Sequence, residues 1–332
     1  MEKSTGKEII GLKDEILRSR ELGWQTFGKL IYFYVPGFTY YYNKYFKSSP
    51  TIFPSISITG SSCSLKCDHC GGVILKTMIP ATTPSKLIDV CSHLKSRGAV
   101  GCLISGGCLP NGSVPIERFI DAISEVKKRF GLTIVVHTGL INFKIAERLK
   151  ESGVDAVSVD IIGSDETIKE IYHLNCGVEK YAETLEALKS AGIPFTPHVL
   201  IGLHYGSIRG EIEALKMISK FGPSALILII FFPIRGTKME SIKPPPPETA
   251  IEVLLKARSL MPKVPIALGC ARPKGLHRVR TDLLAVEAGV NAIAFPSLEA
   301  IERARDLGLK VKFSQVCCSQ IYRDSLFGDR GS

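Results

Sequence analysis

Residues 131–162 read GLTIVVHTGLINFKIAERLKESGVDAVSVDII. Two short runs rich in β-branched residues, Thr133–Thr138 and Ala156–Ile161, flank an amphipathic stretch, Phe143–Ser152, that stops at Gly153. Short apolar runs of this kind suit parallel strands covered on both faces. Between them the apolar residues recur with a helical period, and glycine readily takes the left-handed conformation that ends a helix. The stretch reads as strand, helix, strand.

The same unit recurs from Ser55 onward. Strands are expected at Ser55–Gly60, Gly101–Ser105, Thr133–Thr138, Ala156–Ile161, Phe195–Gly202, Ala225–Pro233, Ile266–Cys270 and Ala292–Pro296. Helical patterns separate them, several closing on a glycine such as Gly98, Gly192 or Gly289. Eight strand–helix units favour a (β/α)8 TIM-type barrel over an open doubly wound sheet. Three parts are expected: a helical, aromatic-rich extension over 1–50, the barrel over 51–310, and a Cys-Cys segment over 311–332 that folds over the barrel mouth. The extension gathers Tyr32, Phe33, Tyr34, Phe38, Tyr40, Tyr41, Tyr42, Tyr45 and Phe46. Packing of these rings on the main domain is one reading, and a partner surface is the other.

The chain has 332 residues, of which 45% are hydrophobic and 22% charged, which excludes a disordered or fibrous protein. Its longest apolar stretch, Ala225–Pro233, is far short of the roughly 20 residues that span a bilayer. Met1–Glu15 carries mixed charges and no apolar core, so a cytoplasmic protein without a secretory signal is expected. Ten cysteines in such a compartment point to metal or redox chemistry rather than disulfides. The 42 basic against 32 acidic residues, a net +10, permit an acidic partner without choosing one.

Active sites of barrels lie at the carboxyl ends of the strands, and the unusual polar residues fall there. Cys63, Cys67, Cys70 and Cys108 follow the first two expected strands; His137, Asp160 and His198 lie at or near the ends of the next three. Arg235 follows the sixth and Cys270 closes the seventh. Cys63-Ser64-Leu65-Lys66-Cys67-Asp68-His69-Cys70 is a CxxxCxxC run. Three thiolates so spaced can hold a four-iron cluster with one iron left open. Zinc would need a fourth donor, which His69 could supply, but no partner pair of a zinc finger lies nearby. Cys270, Cys317 and Cys318 form a second candidate set for an auxiliary cluster, with Ser319, Cys108, Cys176 or a non-protein group as its fourth ligand. Cys91 and Cys102 read as buried small hydrophobes, and His93, His173, His204 and His277 as ordinary residues.

A CxxxCxxC loop leaving the first strand of a β/α barrel resembles the signature of the radical S-adenosylmethionine (SAM) enzymes, and the resemblance runs through most of residues 52–319. It implies a [4Fe-4S] cluster on Cys63, Cys67 and Cys70 that binds SAM. Ser105-Gly106-Gly107 is similar to the family's Gly-Gly element near the SAM amino group, and Asp160 stands where members contact the ribose. Val199–Leu203 resembles the stretch beside the adenine, and Pro233–Thr237 the Pro-x-x-Gly-Thr element. His69 departs from the commoner aromatic ring at its position. The implied cofactor contacts are His69, Ser105, Gly106, Gly107, His137, Asp160 and His198.

Within the family the chain resembles the biotin-synthase-related branch, and in it the subunits of the archaeal-type two-component lipoyl synthase. The stretches that carry this are Ser57–Gly60, Cys70-Gly71-Gly72, Leu200–Gly206, Cys270 and Cys317-Cys318. Leu103, Val135 and Thr196 replace the auxiliary-cluster cysteines of biotin synthase, which counts against biotin formation. The resemblance implies a radical SAM sulfurtransferase for lipoate biosynthesis, with two [4Fe-4S] clusters, inserting sulfur at C6 or C8 of a protein-bound octanoyl chain. Implied partners are an octanoylated acidic lipoyl carrier such as the glycine cleavage H protein, a related second radical SAM subunit, and an electron donor such as ferredoxin. Alternatives are a cofactor maturase, a tRNA methylthiolating enzyme and, outside enzymes, a zinc-stabilised binding barrel. No RNA-binding module accompanies the barrel, so nucleic acid is not an expected partner, and the short apolar stretches leave no membrane partner expected either.

Overall fold

The computed structural model describes residues 4–36 and 41–326. Phe38 and Tyr40 of the aromatic segment lie outside the described residues, as does the end of the chain after 326. The strands are β1 (Leu30–Tyr34), β2 (Ser55–Ser57), β3 (Ile79–Pro80), β4 (Gly101–Ser105), β5 (Thr133–His137), β6 (Ala156–Asp160), β7 (Phe195–Ile201), β8 (Leu226–Ile230), β9 (Ile266–Leu268), β10 (Ala292–Ala294) and β11 (Lys310–Ser314). All pair in parallel in one curled sheet of order β11-β1-β10-β9-β8-β7-β6-β5-β4-β2-β3. The eight expected strands are β2 and β4–β10, each shorter at its carboxyl end than its apolar run or equal to it. Helices separate most of them, so the α/β barrel-type fold is present. The sheet does not close: among the described residues its edge strands β3 and β11 pair with no further strand. Pro80 has no N–H to donate and suits the edge position.

β1 was not among the expected strands, and it carries the sheet into the segment read as an extension. Its sequence, Leu30-Ile-Tyr-Phe-Tyr34, alternates between two apolar compartments. Ile31 and Phe33 join the layer between sheet and helices, with Ile56, Ile104, Val136 and Val157. Tyr32 and Tyr34 face the inner compartment with Ala225, Ile227, Ala267, Ala292 and Ala294. Rings on both faces hide the usual apolar–polar alternation of a strand. The helix Ser4–Phe27 precedes it. Of the other aromatics, Phe46 stacks on Phe313 with centroids 5.0 Å apart, and Tyr41 meets Phe295 at 6.1 Å. The Arg305 guanidinium lies 4.0 Å from the Tyr45 centroid. These rings pack on the body of the protein, while Tyr42 is exposed.

The C-terminal segment enters the barrel rather than only covering it. After β11 it forms a short 3-10 turn at Cys318–Gln320 and the helix Ile321–Leu326. Cys318 and Ile321 are buried in the inner compartment, where four alanines leave the room that larger side chains would fill. Ser319 Oγ lies 3.2 Å from Ser158 Oγ, halfway along β6. Tyr322 donates to the Asp155 carbonyl at 2.6 Å, at the amino end of β6, and Arg323 pairs with the Asp155 carboxylate at 3.2 Å. Tyr34 donates to Asp324 Oδ2 at 2.5 Å and Tyr32 to the Asp324 carbonyl at 2.7 Å. The segment thus runs from the mouth down the inside of the barrel. Burying Ile321 there contributes about 1.5–3 kcal/mol of apolar transfer, and the hydroxyl bonds fix its direction.

Candidate active site

The cysteine loop follows β2 and is shaped by its own backbone. Gly71 N donates to the Cys67 carbonyl at 2.7 Å, Cys70 N to the same oxygen at 3.1 Å, and Val73 N to the Cys70 carbonyl at 2.8 Å. This tight turn gathers a thiol of Cys67, a thiol of Cys70 and a ring nitrogen of His69 within 4.8 Å of one another. Cys63 is held separately, by Ser64 N donating to the Cys108 carbonyl at 2.8 Å. It also lies against Gly107: a Cβ there would sit 2.6 Å from both Cα and Cβ of Cys63. Gly107 is therefore needed for close approach, not for an unusual turn, and its N–H donates to Thr59 Oγ1 at 2.7 Å.

Cys67 donates to Cys70, which holds the Cys70 thiol well down, to about 4, while the same bond, burial and the neighbouring thiols push Cys67 up. Cys108, beside Cys63, is pushed up to about 12, first by burial and then by Cys63. The Nδ1 atom of His69 is buried with no hydrogen-bond partner.

Across the mouth, three side chains from adjacent strands meet. His137 Nε2 lies 3.4 Å from Asp160 Oδ1, and the His137 and His198 rings are 5.6 Å apart. His198 Nδ1 must donate to the Thr196 carbonyl, 3.0 Å away, which leaves Nε2 facing the group as an acceptor. Burial pulls the His137 ring down, but Asp160 outweighs it and raises the ring above its ordinary value. Burial raises Asp160, and His137 outweighs that, bringing the carboxyl down to about 2. His198 falls to about 4, by burial first and then by His137. Ser105 Oγ donates to the His137 carbonyl at 3.1 Å, tying β4 to the group.

The second thiol set is looser: Cys270, Cys317 and Cys318 are near enough to shift one another, but their sulfurs do not all lie within 4.8 Å of one another as the ligand atoms of Cys67, His69 and Cys70 do. Cys317 is lowered to about 6, chiefly by a hydrogen bond from Cys318 with help from Ser319 and the nearby charge of His137. Cys270, partly open to solvent as a residue, is still raised to about 11 by the atoms around its thiol and by Cys317. Cys318 is raised by its bond to Cys317, by burial, and by Cys317 and Cys270 as charged neighbours. Of the expected fourth ligands, Ser319 Oγ is 3.4 Å from the Cys317 sulfur. Cys108 faces Cys63, and Cys176 lines a groove of about 1030 Å³ with Pro110, Phe143 and Lys180, so neither joins the second set. Leu103, Val135 and Thr196 lie on neighbouring strands, each two residues below a polar residue at the mouth: Ser105, His137 and His198. Cys91 and Cys102 are fully buried, as expected.

Sequence reasoning missed Asp68 and Lys238 and treated His173 as ordinary. His173 Nε2 lies 2.7 Å and Lys238 Nζ 2.8 Å from Asp68 Oδ1. The position of Asp68 inside the CxxxCxxC run was the available signal. Burial raises this carboxyl, but its bonds to Lys238 and His173 hold it below the ordinary carboxylate range.

A family model described as the Radical SAM superfamily matches residues 57–218, the span from β2 through the helix that follows β7. This chain belongs to the radical SAM superfamily. It is similar to a biotin synthase of Leptospira interrogans, 22% identical over 286 residues, covering 82% of this chain and 80% of that one. With further biotin synthases among its relatives, this places the chain in the biotin-synthase-related branch. Its fold is similar to methylornithine synthase (PylB), with a TM-score of 0.60 and 18% identity over 91% of this chain and 89% of that one. The [FeFe]-hydrogenase maturase HydG gives a TM-score of 0.64 and 14% identity over 94% and 70% of the two chains.

The radical SAM family uses a [4Fe-4S] cluster and SAM. The residues present fit such a group: the loop offers three thiols, one of them lowered by its neighbours, and glycine keeps a side chain off Cys63. No helix among the described residues is long and apolar enough to cross a membrane.

Proposed function

We propose that this radical SAM enzyme is a cytoplasmic sulfur insertase, one component of a two-subunit lipoyl synthase acting at C6 or C8 of an octanoyl chain on an acidic carrier. The observation that carries the reading is the second thiol set. Cys270, Cys317 and Cys318 influence one another electrostatically, and Cys317 lies within the field of His137, one residue of the mouth group. Bound at these two sites, a SAM cluster would supply radical chemistry toward an unactivated carbon, and an auxiliary cluster would supply the sulfur.

In this reading Cys63, Cys67 and Cys70 hold the first cluster, and Cys270, Cys317 and Cys318 the second. Ser105, Gly106, Gly107, His69, His137, Asp160 and His198 orient SAM. The depressed Asp160 carboxyl remains an acceptor at neutral pH, and the neutral His198 ring adds an acceptor of fixed direction. The C-terminal segment inside the barrel excludes water from the inner compartment. The +10 charge favours docking of an acidic carrier. A related second subunit and a ferredoxin-type donor complete the system.

The test is iron and sulfide content after anaerobic reconstitution, for wild type and a Cys270/Cys317/Cys318→Ala variant, followed by an assay on octanoylated H protein. About eight irons falling to about four, with thiolated product from wild type alone, supports the reading. About four irons in both means the second set binds no cluster, and sulfur insertion gives way to another radical SAM reaction such as cofactor maturation or tRNA methylthiolation. A colourless zinc protein would overturn the cluster assignment itself.

A further inference from the structure

Asp68 stands between two of the three motif thiols, yet its side chain makes contacts that the thiols do not explain. Its Oδ1 accepts from Lys238 Nζ at 2.8 Å and lies 2.7 Å from His173 Nε2. Its N–H donates to the Ile171 carbonyl at 3.0 Å. The neighbouring His69 ring lies 5.2 Å from that of Tyr172. Three consecutive residues at the end of the helix Asp165–Ile171 therefore dock on the cysteine loop: Ile171 by its carbonyl, Tyr172 by its ring, and His173 by its imidazole. His173 does so from a left-handed backbone, φ 58°, a conformation that a non-glycine residue keeps only where its surroundings hold it. From the other side comes the loop after β8. The Thr237 methyl would be 3.8 Å from a Cβ at Gly71, and Lys238 beside it reaches Asp68.

The two ends of the Asp68–Lys238 pair differ. The Asp68 side chain is 10% exposed and that of Lys238 is 70% exposed. A nearly buried negative charge one bond along the chain from Cys67 is thus balanced by a cation that water can reach. Cluster potentials follow net charge and solvent exposure around the cluster. A bare carboxylate beside the loop opposes uptake of an electron, and a neighbouring ammonium opposes that effect.

We propose that Asp68 is a positioning residue that ties the cluster loop to the loops after β6 and β8, and that its pair with Lys238 tunes the potential at which the cluster takes its electron. This rests on the SAM cluster being held by Cys63, Cys67 and Cys70. The reaction concerned is addition of one electron to that cluster from a chemical reductant such as dithionite.

The experiment is an EPR-monitored reductive titration of the reconstituted full-length protein, with iron content measured on each sample. Lys238→Met leaves Asp68 unbalanced and shifts the midpoint to more negative values. Asp68→Asn leaves Lys238 unbalanced and shifts it to more positive values. Asp68→Glu keeps the wild-type sign of charge and lies near wild type, and the double variant D68N/K238M lies between the two singles. Raising the salt concentration shrinks the Lys238→Met shift, because that end of the pair is exposed. A role confined to loop stability would move both single variants the same way. Shifts of the same sign, or none, overturn the proposal. If Asp68→Asn takes up too little iron to titrate, Lys238→Met decides alone: a negative shift supports the pair and an unchanged midpoint overturns it. Wild type without iron would instead mean that the cluster assignment itself had failed.

Discussion

Replacing Gly107 with alanine isolates the steric condition on which the cysteine loop depends. The added Cβ would fall 2.0 Å from the Ser62 carbonyl oxygen and 2.6 Å from Cα and Cβ of Cys63, where real Cβ contacts essentially never fall below 3.0 Å. The loop must therefore retreat by about 1 Å, and metal sites hold their ligands to about ±0.2 Å. The clashing atoms are backbone and cannot rotate aside. Their retreat is opposed by Thr59, whose hydroxyl accepts from Gly107 N at 2.7 Å and donates to the Ser62 carbonyl at 2.9 Å. The bond from Ser64 N to the Cys108 carbonyl at 2.8 Å is a second restraint. The fold should survive, since overpacking costs about 1–3 kcal/mol, but Cys63 should be lost as a ligand. Gly106→Ala is the control: its Cβ would meet only side-chain atoms, of Thr59 at 3.0 Å and Ile58 at 3.2 Å, and a shift of a few tenths of an ångström relieves these contacts without breaking the bonds of Thr59. The assay is iron and sulfide per chain after reconstitution, with thermal melts of the apo proteins. Gly107→Ala should lose about four irons with a near-normal melt, and Gly106→Ala should keep them. Equal iron in Gly107→Ala and wild type, or a greater loss in Gly106→Ala, would refute the steric argument.

Two further outcomes follow from charges in the barrel. Asp282→Ala should destabilise the fold by about 3–5 kcal/mol, because Arg272 and Asp282 form a 3.0 Å pair with neither side chain exposed, leaving Arg272 an uncompensated buried charge; denaturant unfolding measures this, and a loss under 1 kcal/mol would contradict it. Asp160→Asn should drop the His137 pKa from above to below its ordinary 6.5, because burial alone depresses the ring. For wild type the sign runs both ways: the raised His137 loses its contribution as pH climbs through its folded value, and Asp160, depressed from 3.8, loses its own as pH falls toward about 2. Imidazole NMR titration of both proteins checks this, and an unchanged His137 pKa in the variant would count against the pair.

The aromatic segment shows where local pattern stopped being informative. A strand with one apolar face alternates, and β1 does not, because Tyr32 and Tyr34 point into the inner compartment while Ile31 and Phe33 point at the helices. Its pairing with β10 and β11 joins residues more than 250 positions apart, a contact that no window of sequence contains. The path of the C-terminal segment was equally hidden. Four alanines, one just before β8, one on β9 and two on β10, read as small core residues, and only the assembled sheet turns them into a channel that receives Cys318 and Ile321.

Sequence alone determined the strand–helix repeat, because periodicity and glycine caps act over a single turn or strand. It also determined the CxxxCxxC loop, in which backbone bonds spanning only a few residues bring Cys67 and Cys70 together, while the placing of Cys63 needs the Cys108 carbonyl. Tertiary structure decided the rest: that the sheet stays open, that Cys317 comes within the field of His137, and that Asp68 is tied to Lys238. Each of these joins segments more than 100 residues apart, and it is the curling of the sheet that carries strand ends distant in sequence to one mouth.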